Sequence, residues 1–326
     1  MSQEINSTLP ACTQKQSANK TIQTNSLDWV DDCILSQKEV NDIATPEWIV
    51  FNLVISGHII LIPAEPNGGK TAVFFYLAGR MRKKGFQVFY VNADISGGDA
   101  KPLYEEAKRN DFKLLLPDMR EGQSMDTVLE KLRIMSEDAN RYDDVIFIFD
   151  TLKKILDVIQ KSAAKKFFKI FRRLSGKGMT IILLAHTNKY KDEKTGMPMY
   201  EGTGDLRSDV DELIYLLPEK HDDGSMTVTT YPDKTRGDFK PITFKIDSKR
   251  EVSMAEKPVD TLKMNQVTEE LKTDEPTIEA IRESIESGCQ NQKDIVESCK
   301  DLNIGERIVK SILNKYCLHL TSNRLN

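Results

Sequence analysis

From His58 onward the chain alternates short apolar runs with stretches of helix length. "HIILIP" (His58 to Pro63), "FQVFYV" (Phe86 to Val91), "KLLLP" (Lys113 to Pro117), "DVIFIFD" (Asp144 to Asp150) and "MTIILLAH" (Met179 to His186) are too uniformly apolar to have a wet face. They read as strands buried on both sides, and their rhythm predicts a mostly parallel sheet with helices on each face. The runs "ELIYLLP", "MTVTTYPD" and "PITFKID" follow, joined by the short turns "HDDGS" and "KTRGDFK". Such close spacing predicts an antiparallel extension of the same sheet. Residues 251–272 carry few large apolar side chains and read as a linker. Residues 273–326 show helical patterns with a turn at Asn303 to Gly305, which is helix-turn-helix spacing with Ile308, Val309, Ile312 and Leu313 facing inward.

Composition narrows the class. With 326 residues, 39% hydrophobic and 29% charged, the chain suggests about two globular domains, and no run is long enough to span a membrane. Residues 1–27 are polar, lack the apolar core of a signal peptide and are expected to be disordered, which makes a cytoplasmic location the expectation. The five cysteines, Cys12, Cys33, Cys289, Cys299 and Cys317, form no C-x-x-C pair and fit reduced thiols. A net charge of −4 confines any nucleic-acid surface to a local patch.

The chemistry concentrates at "LIPAEPNGGKTAVFF" (Leu61 to Phe75). A strand leads into Glu65, Pro66, Asn67, Gly68 and Gly69. Lys70, Thr71 and Ala72 then open an apolar helix. Glycines let backbone N–H groups curl around phosphates, the lysine reaches the outer phosphates and the hydroxyl serves Mg²⁺. Ala64 stands where the common pattern begins with glycine, a replacement that works if the position avoids positive φ. Asp150 closes a core strand, where a carboxylate holds Mg²⁺ or its water. ATP and Mg²⁺ are therefore the expected ligands, with Thr71 and Asp150 at the metal.

The succession of this loop, "VFYVNAD", "VIFIFDTLKK", "IILLAHTNK", "GTGDLRSDVDELIYL" and "DKTRGDFKPITFKI" resembles the RecA-type ATPase core over residues 46–250. Within that class it resembles the hexameric replicative helicases of the DnaB and plasmid RepA kind. The resemblance implies a RecA-like domain over 28–250, a linker over 251–272 and a helix-turn-helix or winged-helix-like domain over 273–326. It implies that Asp94 orients the attacking water, although the family's usual residue is a glutamate, one methylene longer; Glu65 and Asp99 are the alternatives. It implies that His186 senses the outer phosphate, and that Lys234 and Arg236 reach into a neighbouring subunit's site, where a guanidinium offsets charge on the transferred phosphoryl group. A trans arginine requires an oligomer, expected to be a homohexamer or another ring.

Single-stranded DNA is the expected partner. The polar stretch from Thr187 to Asp205 reads as a long functional loop in which Lys189, Lys191 and Lys194 track phosphates and Tyr190 and Tyr200 stack on bases, with Arg207 nearby. The basic stretch Thr151 to Lys177 reads as one amphipathic helix packing through Ile155, Ile159, Phe167, Phe168, Phe171 and Leu174. In the tail Arg307, Lys310, Asn314 and Lys315 would face outward, yet residues 272–326 hold eight Lys and Arg against nine Asp and Glu. Protein docking is therefore a close alternative to DNA contact there. Two functions remain: an ATP-driven DNA motor or helicase of a plasmid, phage or integrated element, or an ATPase switch or loader that does not unwind. A replication initiator, primase or loader would be the protein partner.

Overall fold

The computed structural model describes residues 27–93, 95, 97–155, 161–192, 197–200 and 205–322. Residues 1–43 and 44–326 form two compact units. In the first, a 3₁₀ turn over Asp28–Cys33 precedes helix α1 (Gln37–Asp42). Ser36 caps that helix: its hydroxyl accepts from the Glu39 N–H at 3.2 Å and its own N–H donates to the Glu39 carboxylate at 2.7 Å. The rest of the tail expected to be disordered, residues 1–26, lies outside the described residues.

The second unit begins with a hairpin of β1 (Trp48–Val50) and β2 (Val54–Ile55) and proceeds to β3 (Ile59–Ala64), α2 (Lys70–Lys83), β4 (Gln87–Asn92), α3 (Gly97–Arg109), β5 (Lys113–Leu115), α4 (Met125–Glu137) and β6 (Val145–Asp150). Then come α5 (Leu152–Ile155), α6 (Lys161–Gly176), β7 (Thr180–Lys191), β8 (Pro198–Tyr200), α7 (Asp205–Asp209), β9 (Glu212–Lys220), β10 (Met226–Lys234), β11 (Thr243–Ile246) and β12 (Val252–Met254). The helices α8 (Thr261–Glu286), α9 (Gln292–Asp301) and α10 (Glu306–Ser322) complete it.

One sheet runs β12-β11-β10-β9-β3-β7-β6-β4-β5, with β8 attached to β7. Neighbours from β5 through β9 are parallel, and β9 to β12 are antiparallel. The α/β class with an antiparallel extension is thus present, but it starts one strand later than the sequence suggested, because "ELIYLLP" pairs parallel to β3 before it turns into β10. β3 alternates its side chains between two cores, as the pleat requires. Ile60 and Ile62 pack with Phe74, Phe75, Leu77 and Met81 of α2. Ile59 and Leu61 pack with Phe168, Phe171 and Leu174 of α6. Truncating a fully buried ring such as Phe171 to alanine would cost about 3–5 kcal/mol.

Register places the chemistry. Ala64 pairs with His186, Asp150 pairs with Leu184 and Asn92 pairs with Asp150. The carboxyl ends of β3, β4, β6 and β7 therefore lie level, which is where open parallel sheets bind ligands.

Three sequence expectations change here. The presumed linker contains β12 and the first turns of α8, because polar groups tie it down. Thr261 Oγ1 donates to the Leu217 carbonyl at 2.9 Å, Asn265 Nδ2 donates to that of Pro218 at 3.0 Å, and Leu262 packs on the core beneath. The presumed loop after Thr187 is a hairpin arm, with Thr187 opposite Tyr200 and Lys191 opposite Pro198; residues 193–196 and 201–204 lie outside the described residues. The basic segment after Asp150 forms α5 and α6, with 156–160, including Ile159, outside the described residues.

The last three helices pack on one another as a small bundle. Ala280, Ile281, Ile295, Val296, Cys299, Val309 and Ile312 form its core. Ile308 departs from the expected inward stripe and is exposed at its edge, while Val309 and Ile312 face inward as expected. Among the described residues after Met254 no strand forms a wing.

Candidate nucleotide site

β3 delivers the loop and α2 receives it. Ala64 ends β3 in extended, paired backbone, so a side chain fits there without strain. Curvature comes from the residues that follow: Asn67 has φ 57° and Gly69 φ 81°. A Cβ on Gly69 would stand 2.7 Å from Ile246 Cδ1, and one on Gly68 2.9 Å from the Glu65 carbonyl oxygen. Gly68 is thus required by space, since its obstacle is backbone, and Gly69 chiefly by its positive φ, since the Ile246 methyl can give way. No side chain caps α2, so its first N–H groups are left for an anion.

Lys70 is buried behind this loop. Its Nζ donates to the carbonyls of Ala64 at 3.3 Å and Glu65 at 3.0 Å, and lies 3.2 Å from His186 Nδ1. Burial lowers the ammonium pKa, opposed by the charges of Asp150 and Glu65. Beside it, Thr71 Oγ1 donates to Asp150 Oδ2 at 2.8 Å, and the Tyr90 hydroxyl donates to the same oxygen at 2.7 Å. Tyr90 is fully buried, and burial pushes its phenol well above the ordinary range, with the Asp150 charge adding to the effect. It is therefore a fixed donor that aims the carboxylate. Sequence reading missed Tyr90, whose only signal was a hydroxyl inside an apolar strand.

Lys70, Thr71, Asp150 and His186 line a cleft of about 450 Å³ together with Asn67, Asn92, Asp99, Leu103 and Arg250. Thr71 and Asp150 offer hard oxygen donors, the set suited to Mg²⁺ held jointly with phosphate oxygens. The cleft matches a polyanion: backbone donors at one end, a buried ammonium and the Asp150 carboxylate at the other. Arg250 was also missed, because it sits in a charged turn, "DSKRE", without a motif; its φ of 70° is unusual for a side-chain-bearing residue. Of the proposed water-orienting residues, Asp94 lies outside the described residues, Asp99 is on the cleft wall, and Glu65 pairs with Lys220 at 3.2 Å.

No family model and no curated protein matches the chain. Among solved structures it is similar to the flagellar accessory protein FlaH from Methanocaldococcus jannaschii, at 16% identity and TM-score 0.43 over 61% of this chain and 90% of that one. It is also similar to a solved ATPase domain, at 14% identity and TM-score 0.40 over 57% of this chain and 80% of that one.

The Lys-x-Arg pair does not line the cleft of its own chain. Lys234 Nζ donates to the carbonyls of Arg207 at 2.7 Å, Ser208 at 3.3 Å and Val210 at 2.6 Å, which occupies all three ammonium donors. Burial lowers its pKa, and the neighbouring Arg236 lowers it further. Arg236 Nη2 lies 2.8 Å from Asp211 Oδ1 and its side chain is 60% exposed.

The residues proposed for DNA are mostly engaged or outside view. Arg207 pairs with Asp233 at 2.9 Å, Lys310 with Glu306 at 2.7 Å, and Lys315 with Glu270 at 2.7 Å and Asp274 at 2.9 Å. Arg307 is exposed, and Tyr200 is half-buried against the core. Lys194 and the side chains of Lys189, Tyr190 and Lys191 lie outside the described residues. Among the described residues no helix is long and apolar enough to cross a membrane.

Proposed function

We propose that the chain is a RecA-type P-loop ATPase that uses ATP hydrolysis to drive movement on single-stranded DNA, assembled as a hexamer or another ring of the replicative-helicase kind. The observation that carries this reading is the convergence of Lys70, Thr71, Asp150 and His186 on one cleft behind a glycine-curled loop. The backbone of Asn67 to Ala72 cradles the phosphates, and Lys70 exchanges its carbonyl partners for phosphate oxygens. Thr71 and Asp150 would hold Mg²⁺, which would supply positive charge to offset that of the phosphates. A carboxylate, Asp94 or Asp99, orients water for attack on the terminal phosphorus and takes its proton as ADP leaves. His186, in contact with Lys70 and continuous through β7 with the hairpin arm, reports the phosphate state to the proposed DNA-contacting segment.

Arg236 supplies the trans cation. With Lys234 consumed by the carbonyls that end α7, the guanidinium is the member of the pair with donors to spare. The alternative, an ATPase switch or loader for an initiator or primase, draws support from the internal pairing of Lys310 and Lys315, which leaves the tail little charge for DNA. ATP turnover measured with and without single-stranded DNA, alongside the mass of the nucleotide-bound assembly, separates them. DNA-stimulated turnover by a ring supports the motor; turnover indifferent to DNA supports the switch.

A further inference from the structure

We propose that Asp211 is the positioning residue for Arg236, holding the guanidinium ready for the neighbouring subunit's site while leaving its charge uncancelled. The inference rests on the reading of Arg236 as a trans finger and adds the device that aims it.

Asp211 precedes β9, and its side chain is 2% exposed. A buried carboxylate needs partners, and each of its partners has a consequence. Oδ2 accepts the Ile59 N–H at 2.9 Å, which fixes the carboxylate to the start of β3, the strand that delivers the phosphate loop. Arg172 Nη1 stands 2.8 Å from both carboxylate oxygens, and Arg172 Nη2 donates to the Asp209 carbonyl at 2.8 Å, so α6 holds it from the other side. Arg236 is then a second guanidinium on an already neutralised carboxylate. Two arginines on one aspartate leave one net positive charge, and Arg236 is the more exposed member, at 60% against 42% for Arg172.

The same arrangement explains why the contact aims Arg236 without locking it. An exposed ion pair is weak, and Asp211 keeps Arg172 and the Ile59 N–H if Arg236 departs, so release strands no buried charge. A long, flexible side chain nonetheless loses much of its rotamer freedom when one nitrogen is tethered to a rigid point, which is ordering that the trans contact would otherwise require. Lys234, three-fold bonded to the carbonyls of Arg207, Ser208 and Val210, fixes the base of the same hairpin. Asp211 thereby links the finger of one subunit to the strand beneath that subunit's own phosphate loop.

The test is a double-mutant cycle in the full-length assembly, with ATP turnover, KM for ATP, melting temperature and assembly mass measured for Asp211→Asn, Arg236→Ala and the double variant. Asp211→Asn should lower kcat on the order of 10-fold, the scale of lost positioning, with KM and mass near wild type. In the Arg236→Ala background, assayed at high enzyme concentration, the same change should cost nothing further. Unimpaired kcat in Asp211→Asn, or an equal loss in both backgrounds, overturns the inference, the second result marking a purely structural aspartate. If Asp211→Asn does not fold, Asp211→Glu keeps the charge, displaces it by one methylene and is read against the same criteria. Wild-type turnover in Arg236→Ala overturns the finger reading and this inference with it. An inactive Arg236→Ala with unimpaired Asp211→Asn overturns this inference alone.

Discussion

Tyr90 and Thr71 share one oxygen of Asp150: both hydroxyls donate to Oδ2, at 2.7 and 2.8 Å. Were Thr71 to turn to a bound cation, Tyr90 would be left to hold the carboxylate from behind. Tyr90→Phe keeps the shape of the buried ring and removes that hold. Mg²⁺ titrations of ATP turnover should show the metal requirement rising about 10- to 100-fold, as loss of a supporting hydrogen bond does elsewhere. An unchanged requirement would mean that Asp150 needs no such support.

The loop's glycines and its missing glycine should behave in opposite ways. Gly69→Ala puts a Cβ 2.7 Å from Ile246 Cδ1 at φ 81°, so about 1–2 kcal/mol of strain, or more, should appear as weaker nucleotide binding. Ala64→Gly restores the common pattern at a position in extended backbone, so nucleotide affinity should not improve and stability should fall by about 0.5–1 kcal/mol. Calorimetric titration and denaturant melts of both variants check the pair.

Lys70 is buried with a lowered pKa, which sets a sign for stability. Just below the ordinary lysine value the unfolded chain binds more protons than the folded one, so stability of the nucleotide-free protein rises with pH there. At neutral pH the burial penalty is fully present. Lys70→Met should therefore raise the melting temperature of the nucleotide-free protein at pH 7 while removing nucleotide binding, and the gain should shrink as pH approaches 10.5. A lower melting temperature for Lys70→Met would contradict it.

Arg250 lines the cleft from the turn between β11 and β12. Arg250→Ala should weaken ATP binding by about 5- to 50-fold, the worth of a hydrogen bond to a charged group or less, with little effect on folding because the side chain is exposed. Equal affinity in the variant would place Arg250 outside the nucleotide's reach.

The parallel sheet and the loop were legible because both write strong local signals: uninterrupted apolar runs such as "VIFIFD", and a Gly-Gly-Lys-Thr succession between strand and helix. Lys70 and Thr71 followed from the loop spacing, Asp150 from its place at a strand end and His186 from the family resemblance, and sheet register sets the ends of their strands level. What could not be read depends on tertiary partners. Residues 251–272 lack an apolar stripe because α8 is anchored through Thr261 and Asn265 to the carbonyls of β9. Tyr90, Asp211 and Arg250 carry no motif and acquire their roles only where the sheet sets them beside Asp150, Arg236 and the phosphate loop. Ile308 shows the limit of helical periodicity, since Val309, Ile312 and Leu313 pack inward as expected while Ile308, at the edge of the same stripe, is exposed.

The most direct test of the central claim is steady-state ATP hydrolysis with Mg²⁺ by the wild-type chain and by Lys70→Ala, both verified as folded. Turnover is expected in the wild type and loss of all but a trace in the variant, since Lys70 is the one buried ammonium lining the cleft among its described residues. Undiminished hydrolysis in Lys70→Ala, or no hydrolysis by the folded wild type with Mg²⁺ and single-stranded DNA present, would contradict it.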